Sequence, residues 1–313
     1  MVLVSIQWQC KHINAIVNNK KMGIKNLFPY LKQYSKDANL SDFAGKTAAV
    51  DASCWIHRAL AVSVSESGNR QRLDSIFRKH LQLVKGAGVF PFVVFDGLPL
   101  PAKANETARR QRMKENALAK ANEAASLEEH NKFLSQGISV SFDDISSCIE
   151  ICVKENIQYI VSAYESDAQI AYLIKHGHAD FAITEDSDLL TYGCKEIFVK
   201  VKLSGTGNYF VLSEILDGLK LSFKQFQELC ITAGCDYLDN VKGIGIHRAY
   251  PLVCGNHLFE DLAKKGAPKD YEEQFVKAFA VFNHQTVFSI DRIKCVPLNK
   301  WNQDISILLL GNW

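Results

Sequence analysis

The 313-residue sequence has almost no net charge, since 36 Lys and Arg stand against 34 Asp and Glu. Total charge therefore points to no polyanionic partner, and only a local patch can. Proline is scarce, at seven residues, and low-complexity tracts are absent, which argues against an extended or disordered chain. With 47% hydrophobic residues there is enough apolar side chain for a sizeable core.

No run of about 18 apolar residues occurs that would span a bilayer as a helix, and the apolar stretch Val2–Ile6 is too short for a signal-peptide core. Residues 1–21 carry Lys11, Lys20 and Lys21 without an acid, yet lack the arginines and amphipathic pattern of a mitochondrial presequence. Nine cysteines, an odd number spread from Cys10 to Cys295, lack the density of a secreted disulfide scaffold and indicate a reducing compartment. Cys148 and Cys152 sit one helical turn apart, but no second Cys/His pair accompanies them; buried thiols are expected there, not zinc. A nucleophile elbow and a P-loop are also missing, and Gly243-Ile244-Gly245 lacks the Lys-Ser/Thr of a nucleotide cradle.

What is present is alternation. Short β-branched or aromatic runs at 47–50, 90–95, 157–161 and 181–184 each end near an acid or small residue. Between them, helix-length segments near 55–66, 72–86, 143–155 and 166–176 carry apolar residues at three-to-four spacing. This is the α/β pattern, and the continuous apolar runs predict strands covered on both faces, as in a mostly parallel central sheet flanked by helices. Ligands gather at the carboxyl ends of such strands, where the acids lie. Residues 97–135 interrupt the pattern with a polar, Ala-rich, basic helical insertion bearing Lys103, Arg109, Arg110, Arg112, Lys114 and Lys120. From 222 onward the chain reads as helical, with two helices around a glycine hairpin at 243–245.

In Glu165-Ser166-Asp167 and Asp186-Ser187-Asp188, acids at i and i+2 point to the same side of an extended segment and repel one another. Either pair alone could cap a helix N-terminus. Asp51, Asp96 and Asp236 add three more acids in apolar surroundings, where a lone ionised carboxylate is costly. Divalent cations would relieve such crowding, and all-oxygen ligands favour Mg²⁺ or Mn²⁺ over zinc. Two such ions about 4 Å apart hydrolyse phosphodiesters.

In order along the chain, Met22-Gly23-Ile24, Ala49-Val50-Asp51, Val94-Phe95-Asp96-Gly97, Tyr164-Glu165-x-Asp167-Ala168, Thr184-Glu185-Asp186-Ser187-Asp188, Gly234-Cys235-Asp236-Tyr237 and Gly243-Ile244-Gly245 resemble the flap endonuclease superfamily of 5′-nucleases. Cys54-Trp55-Ile56-His57, Ala171-Tyr172-Leu173 and Gly193-Cys194-Lys195 look more like its exonuclease branch. The resemblance spans about residues 22–313 and implies a PIN-like 5′-nuclease fold with a helical arch and a helix–two-turn–helix element. The divisions expected are an extension over 1–21 outside the fold, nuclease regions over 22–120 and 121–220, with the arch beginning near 97, and a helical part over 221–313.

Carried over residue by residue, the resemblance implies that Asp51, Asp96, Glu165 and Asp167 surround one metal and Asp186, Asp188 and Asp236 the other. Lys103 and Arg110 match the basic pair on the arch helix, facing the scissile phosphate. His57 matches a position that stacks on a terminal base, and Gly23 one close to the DNA. Gly243 and Gly245 match the hairpin whose amides hold duplex phosphates and whose carbonyls ligate K⁺ in relatives, with Arg248 assisting; Ala233 and Asn240 replace the small hydroxyl residues expected beside that K⁺. The expected cofactors are two Mg²⁺ ions, with Mn²⁺ as substitute, and K⁺ at the hairpin.

The function implied is 5′→3′ hydrolysis of double-stranded DNA from a recessed end or nick, with 5′-flap cleavage, in repair or recombination in the nucleus. Mismatch-repair proteins are partners in the family, but the long tail that meets them is not in this sequence; no membrane partner and a monomer are expected. A flap or junction endonuclease, and a catalytically silent DNA-end binder blocked by 1–21, are the alternatives. Translation from Met22 would remove that extension.

Overall fold

The computed structural model of the chain describes residues 23–255 and 257–300. The expectations for 1–21, for a start at Met22 and for the segment after 300 lie outside the described residues. Two compact units emerge, one of residues 23–52, Leu83–Glu106 and 158–300, the other of Ser53–Gln82 and Thr107–Ile157.

The first unit is built on a seven-stranded sheet. Its strands are β1 (Lys36–Asn39), β2 (Thr47–Asp51), β3 (Phe90–Phe95), β4 (Gln158–Val161), β5 (Phe181–Ile183), β6 (Glu196–Val199) and β7 (Thr206–Val211), in the order β1-β7-β6-β5-β2-β3-β4. The five from β6 to β4 run parallel, and β7 and β1 close one side antiparallel. β2 is central, and its Ala48, Ala49 and Val50 are fully buried because small side chains let layers on both faces approach. The chain leaves β2 toward β3 and β4 and later returns to β2's other side as β5, which makes β2 the switch point of the sheet.

β4 departs from the sequence reading. The run 157–161 was expected to be covered on both faces; as β4 it is an edge strand, with Tyr159 39% and Val161 46% exposed. Apolar runs on an edge and in a centre look alike in sequence, and only pairing separates them.

Helix α1 (Leu27–Tyr30) precedes β1. Helix α7 (Ser166–Lys175) packs on β2, β3 and β5 and buries Ser166 through Ile174 without a break. The later helices are α8 (Asp188–Thr191), α9 (Leu212–Leu219), α10 (Phe223–Ala233), α11 (Ile246–Cys254), α12 (Leu258–Lys264) and α13 (Tyr271–His284). The helical part expected over 221–313 also contains strand, at 286–297, where β8 (Thr286–Ser289) and β9 (Lys294–Pro297) pair antiparallel. The reason is long-range: Gln169 on α7 donates its amide to Phe288 O and accepts from Phe288 N, acting as an extra strand partner, while Tyr172 Oη donates to Ser289 Oγ.

The second unit is helical and holds most of α2 (Ala52–Ser67), α3 (Leu73–Gly86) and α4 (Ala104–Asn122), with α5 (Leu127–Gly137) and α6 (Phe142–Lys154). The basic insertion is thus two helices, α4 and α5, with Gly137 against Leu118; a Cβ there would stand 2.6 Å from Leu118 Cγ. Asp144 closes a capping box with Ser141 at the start of α6 and pairs with Arg70, and Arg78 pairs with Glu155 at its end. Cys148 and Cys152 are fully buried free thiols, as expected, and burial pushes both above the ordinary thiol range.

His80 is buried beneath Trp55, with ring centroids 5.3 Å apart, and its Nδ1 donates to Ile76 O. Burial lowers its pKa to about 4, Arg58 adding to the effect. Folded His80 therefore stays neutral while the unfolded chain takes up a proton below about pH 6.5. Stability is expected to lose roughly 3 kcal/mol from this residue as pH falls from 6.5 to 4, with no contribution above. Urea unfolding of the native chain and of His80→Phe at pH 5 and 7.5 measures it: the variant should lose this part of the slope.

Candidate active site

The acids named from sequence all belong to the sheet-containing unit. Asp51 ends β2, Asp96 follows β3, Glu165 and Asp167 open α7 after β4, and Asp186 and Asp188 follow β5. Parallel strands deliver their carboxyl ends to one side of a sheet, which is why acids far apart in sequence become neighbours. Asp236 comes from elsewhere: Cys235 and Leu238 exchange backbone hydrogen bonds, so Asp236 and Tyr237 form the tip of a tight turn after α10.

Local hydrogen bonds fix the carboxylates. Ser166 N at the start of α7 donates to Asp96 Oδ1 at 2.8 Å, so the helix N-terminus is capped from a neighbouring strand. Thr184 Oγ1 donates to Asp51 Oδ2 and accepts from Asp186 N. Asp188 N donates to Asp186 Oδ1, and Ile24 N to Asp188 Oδ1 at 2.9 Å. Thr184 and Ser166 were inside the sequence motifs, but their work as donors to other acids had no signal there.

Two glycines permit the convergence. Gly97 donates N–H to Tyr164 O at 2.6 Å, and a Cβ there would stand 1.9 Å from Ser162 O, so only glycine lets the loop after β3 lie against the loop before α7. Gly23 has φ +72°, and a Cβ on it would stand 2.2 Å from Asp186 Oδ1, 2.5 Å from Ser187 Oγ and 2.8 Å from Asp188 Oδ1. Gly23, expected beside DNA, is packed against the acids.

The cluster is electrostatically tense. Asp51 and Asp188 are 2% exposed, Asp167 8% and Asp186 9%. Burial raises Asp186 to about 7, with Asp236 and Asp51 adding to it. Burial likewise holds Asp167 and Asp188 well above the carboxylate range, reinforced by Asp186 beside each. Lys103 opposes this: its Nζ lies 2.7 Å from Glu165 Oε1 and 3.0 Å from Asp236 Oδ2. Tyr237 Oη donates to Glu165 Oε2 at 2.9 Å.

Among the described residues, no group of three or more His, Cys, Asp or Glu side chains closes into a metal-coordination shell as it stands. Carboxylates without a dication repel one another, and the Lys103 ammonium supplies the counter-charge between two of them. The donor set still fits a hard dication: all are oxygens, and Asp51, Asp167, Asp186 and Asp188 are buried.

Lys103 and Arg110 do not share one helix. Lys103 ends the 3-10 turn Pro101–Lys103 that leads into α4, because Pro99 and Pro101 delay the α-helix; Arg110 lies within α4, in the helical unit. Arg110 and Lys114 are one turn apart there, and burial followed by Arg110's charge lowers the Lys114 pKa. His57 lies on α2 in the same unit, half-buried.

The hairpin between α10 and α11 has the expected two-helix form. Gly243 takes φ +83°, and Gly245 precedes α11 without a side-chain cap. Its carbonyls are engaged from within: Asn240 Nδ2 donates to Val241 O and Ile244 O, and Arg248 Nη1 to Gly243 O. An amide donor and a guanidinium stand where K⁺ would need free oxygens, so these residues do not fit K⁺.

A family model described as the XPG N-terminal domain matches residues 22–117, and one described as the XPG I-region matches 156–236. The chain is 32% identical over 309 residues to exonuclease 1 of Xenopus laevis, covering 91% of this chain and 42% of that protein. It is 30% identical to the DNA damage-inducible protein DIN7 of Saccharomyces cerevisiae over 286 residues, covering 85% of this chain and 66% of that one. The chain thus spans about two fifths of the exonuclease 1 relative's length. In fold it is similar to the catalytic core of Rad2 in complex with a DNA substrate, with a TM-score of 0.62 at 20% identity over 83% of this chain and 86% of that one.

Two outcomes are expected. Gly23→Ala should weaken Mn²⁺ binding at least tenfold, measured by calorimetry, because its Cβ displaces Asp186 and Asp188 while φ +72° strains the backbone. Replacing KCl by NaCl at equal ionic strength should leave duplex affinity by fluorescence anisotropy unchanged, since Asn240 and Arg248 occupy the hairpin carbonyls.

Proposed function

The chain belongs to the XPG family, residues 22–117 carrying its N-terminal domain and 156–236 its I-region, and on that premise we propose that it is a divalent-metal 5′→3′ DNA exonuclease that also cleaves 5′ flaps. The observation that carries this reading is the gathering of the buried Asp51, Asp167, Asp186 and Asp188 at the ends of β2 and β5 and the start of α7, with Gly23 against Asp186 and Asp188 and Lys103 between Glu165 and Asp236. A binding module has no use for carboxylates that raise one another's pKa.

In this reading Asp51, Asp96, Glu165 and Asp167 hold one Mg²⁺, and Asp186, Asp188 and Asp236 the other, with Mn²⁺ as substitute. Bound magnesium supplies Lewis acidity toward the phosphodiester and a nucleophilic water at neutral pH. Thr184, Ser166 N and Ile24 N keep the carboxylates oriented before any ligand arrives. Lys103 and Arg110 are the cations that meet the scissile phosphate's developing charge. His57 stacks on an unpaired terminal base.

The backbone amides at Gly243 and Gly245, opening α11, hold duplex phosphates downstream, with Arg248 beside them. Phosphate contacts of this kind make affinity fall with salt. The substrate class is DNA with a recessed 5′ end, a nick or a 5′ flap, and the work is repair or recombination in the nucleus, consistent with the DNA-damage name of one relative.

A labelled duplex with a recessed 5′ end and a 5′-flap duplex, each assayed with Mg²⁺ and with chelator, test the proposal. Asp186→Ala should abolish cleavage of both while keeping duplex binding within about threefold. Lys103→Ala and Arg110→Ala should each slow single-turnover cleavage by roughly 10²-fold or more. Flap cleavage far exceeding recessed-end cleavage would assign the chain to the flap or junction endonucleases instead, and Mg²⁺-independent turnover would reject the metal reading.

A further inference from the structure

Glu165 is held on its far side by a buried row of hydroxyls. Its Oε2 lies 2.9 Å from Tyr237 Oη, which lies 2.6 Å from Tyr192 Oη, which in turn lies 2.7 Å from the side-chain oxygen of Gln285. Tyr192 is 5% exposed and Gln285 fully buried. The rings cannot swing away, because Phe282 packs edge-on against both, at 4.9 Å from Tyr192 and 5.2 Å from Tyr237.

Counting protons exposes a conflict. Each phenol carries one hydrogen, and an ionised carboxylate carries none. Tyr237 donates its hydrogen to Glu165 Oε2, while Glu165 Oε1 faces the Lys103 ammonium at 2.7 Å. With an amide oxygen at the other end, three contacts share two hydrogens, and one pair of oxygens faces the other with nothing between. Meanwhile the Gln285 Nε2 is buried with no hydrogen-bond partner. Turning the amide by 180° about its last bond removes both faults. Nε2–H then donates to Tyr192 Oη, Tyr192 O–H to Tyr237 Oη, and Tyr237 O–H to Glu165. One carbonyl oxygen is left unpartnered, which costs less than a buried N–H₂ without an acceptor.

We propose that Gln285, Tyr192 and Tyr237 are positioning residues, a one-way hydrogen-bond chain that fixes the Glu165 carboxylate for its dication. Each donor in such a row polarises the next, so the chain works as a unit and a break anywhere releases Glu165. Gln285 stands where α13 passes into β8, and its own carbonyl accepts from Leu298 N at 3.0 Å, so the chain is anchored in the hairpin that the sequence did not predict.

The inference rests on Glu165 as a metal ligand, and two measurements separate the claims. Calorimetry with Mn²⁺ on the full chain should show roughly tenfold weaker binding for Tyr192→Phe and for Gln285→Met. The double variant should be no weaker than either, because the row is already broken. Additive losses, or native affinity in the singles with thermal unfolding lowered, would mean a packing role only and overturn the proposal. The second measurement is hydrogen exchange of the Gln285 side-chain amide by NMR. Strong protection in the native chain, lost in Tyr192→Phe, supports the row; equal exchange in both overturns it. If the native chain takes up no Mn²⁺, the ligand role of Glu165 fails, and the exchange result still decides the row.

Discussion

Like charges crowded in a poorly polarisable interior set the terms for this molecule. Asp51, Asp167, Asp186 and Asp188 are all nearly inaccessible to water, and each raises the cost of ionising its neighbours. Such a group persists only if the fold holds it together and a cation repays the repulsion. The parallel strands do the holding: β2, β3 and β5 are adjacent and end on the same side, so their terminal acids have no freedom to spread.

Other features follow from that constraint. Gly23 has no side chain because the oxygens of Asp186, Ser187 and Asp188 fill the space where one would be. Gly97 is bare because the loops after β3 and before α7 must nearly touch to bring Asp96 within reach of Ser166 N. Lys103 lies in a proline-delimited turn rather than on the helix beyond it, which lets its ammonium sit between Glu165 and Asp236. The phenols of Tyr237 and Tyr192 stand behind Glu165, so that carboxylate has a cation on one oxygen and a hydroxyl on the other.

The hairpin between α10 and α11 answers a smaller version of the same problem with different means. Its carbonyl oxygens converge, and the charge they concentrate is met by the Asn240 amide and the Arg248 guanidinium. Asn240 stands at a position where the resemblance led one to expect a hydroxyl, and its two donor hydrogens reach two carbonyls at once, which a hydroxyl cannot do. That substitution was visible in sequence; its consequence required coordinates.

The sequence by itself determined the alternation of strand and helix, the placement of acids at strand ends, and the glycine hairpin, because hydrophobic period and turn chemistry are local properties that a linear reading retains. It also singled out seven acids as one proposed group, since their motifs occur in order. Tertiary structure alone decided that β4 is an edge, that 286–297 is a hairpin clasped by Gln169, that Lys103 faces Glu165 and Asp236, and that Gln285 stands 2.7 Å from Tyr192. Each of these depends on a partner from 62 to 133 residues away along the chain. Pairing, exposure and proton direction are properties of what lies across the gap, and no pattern within either segment encodes them.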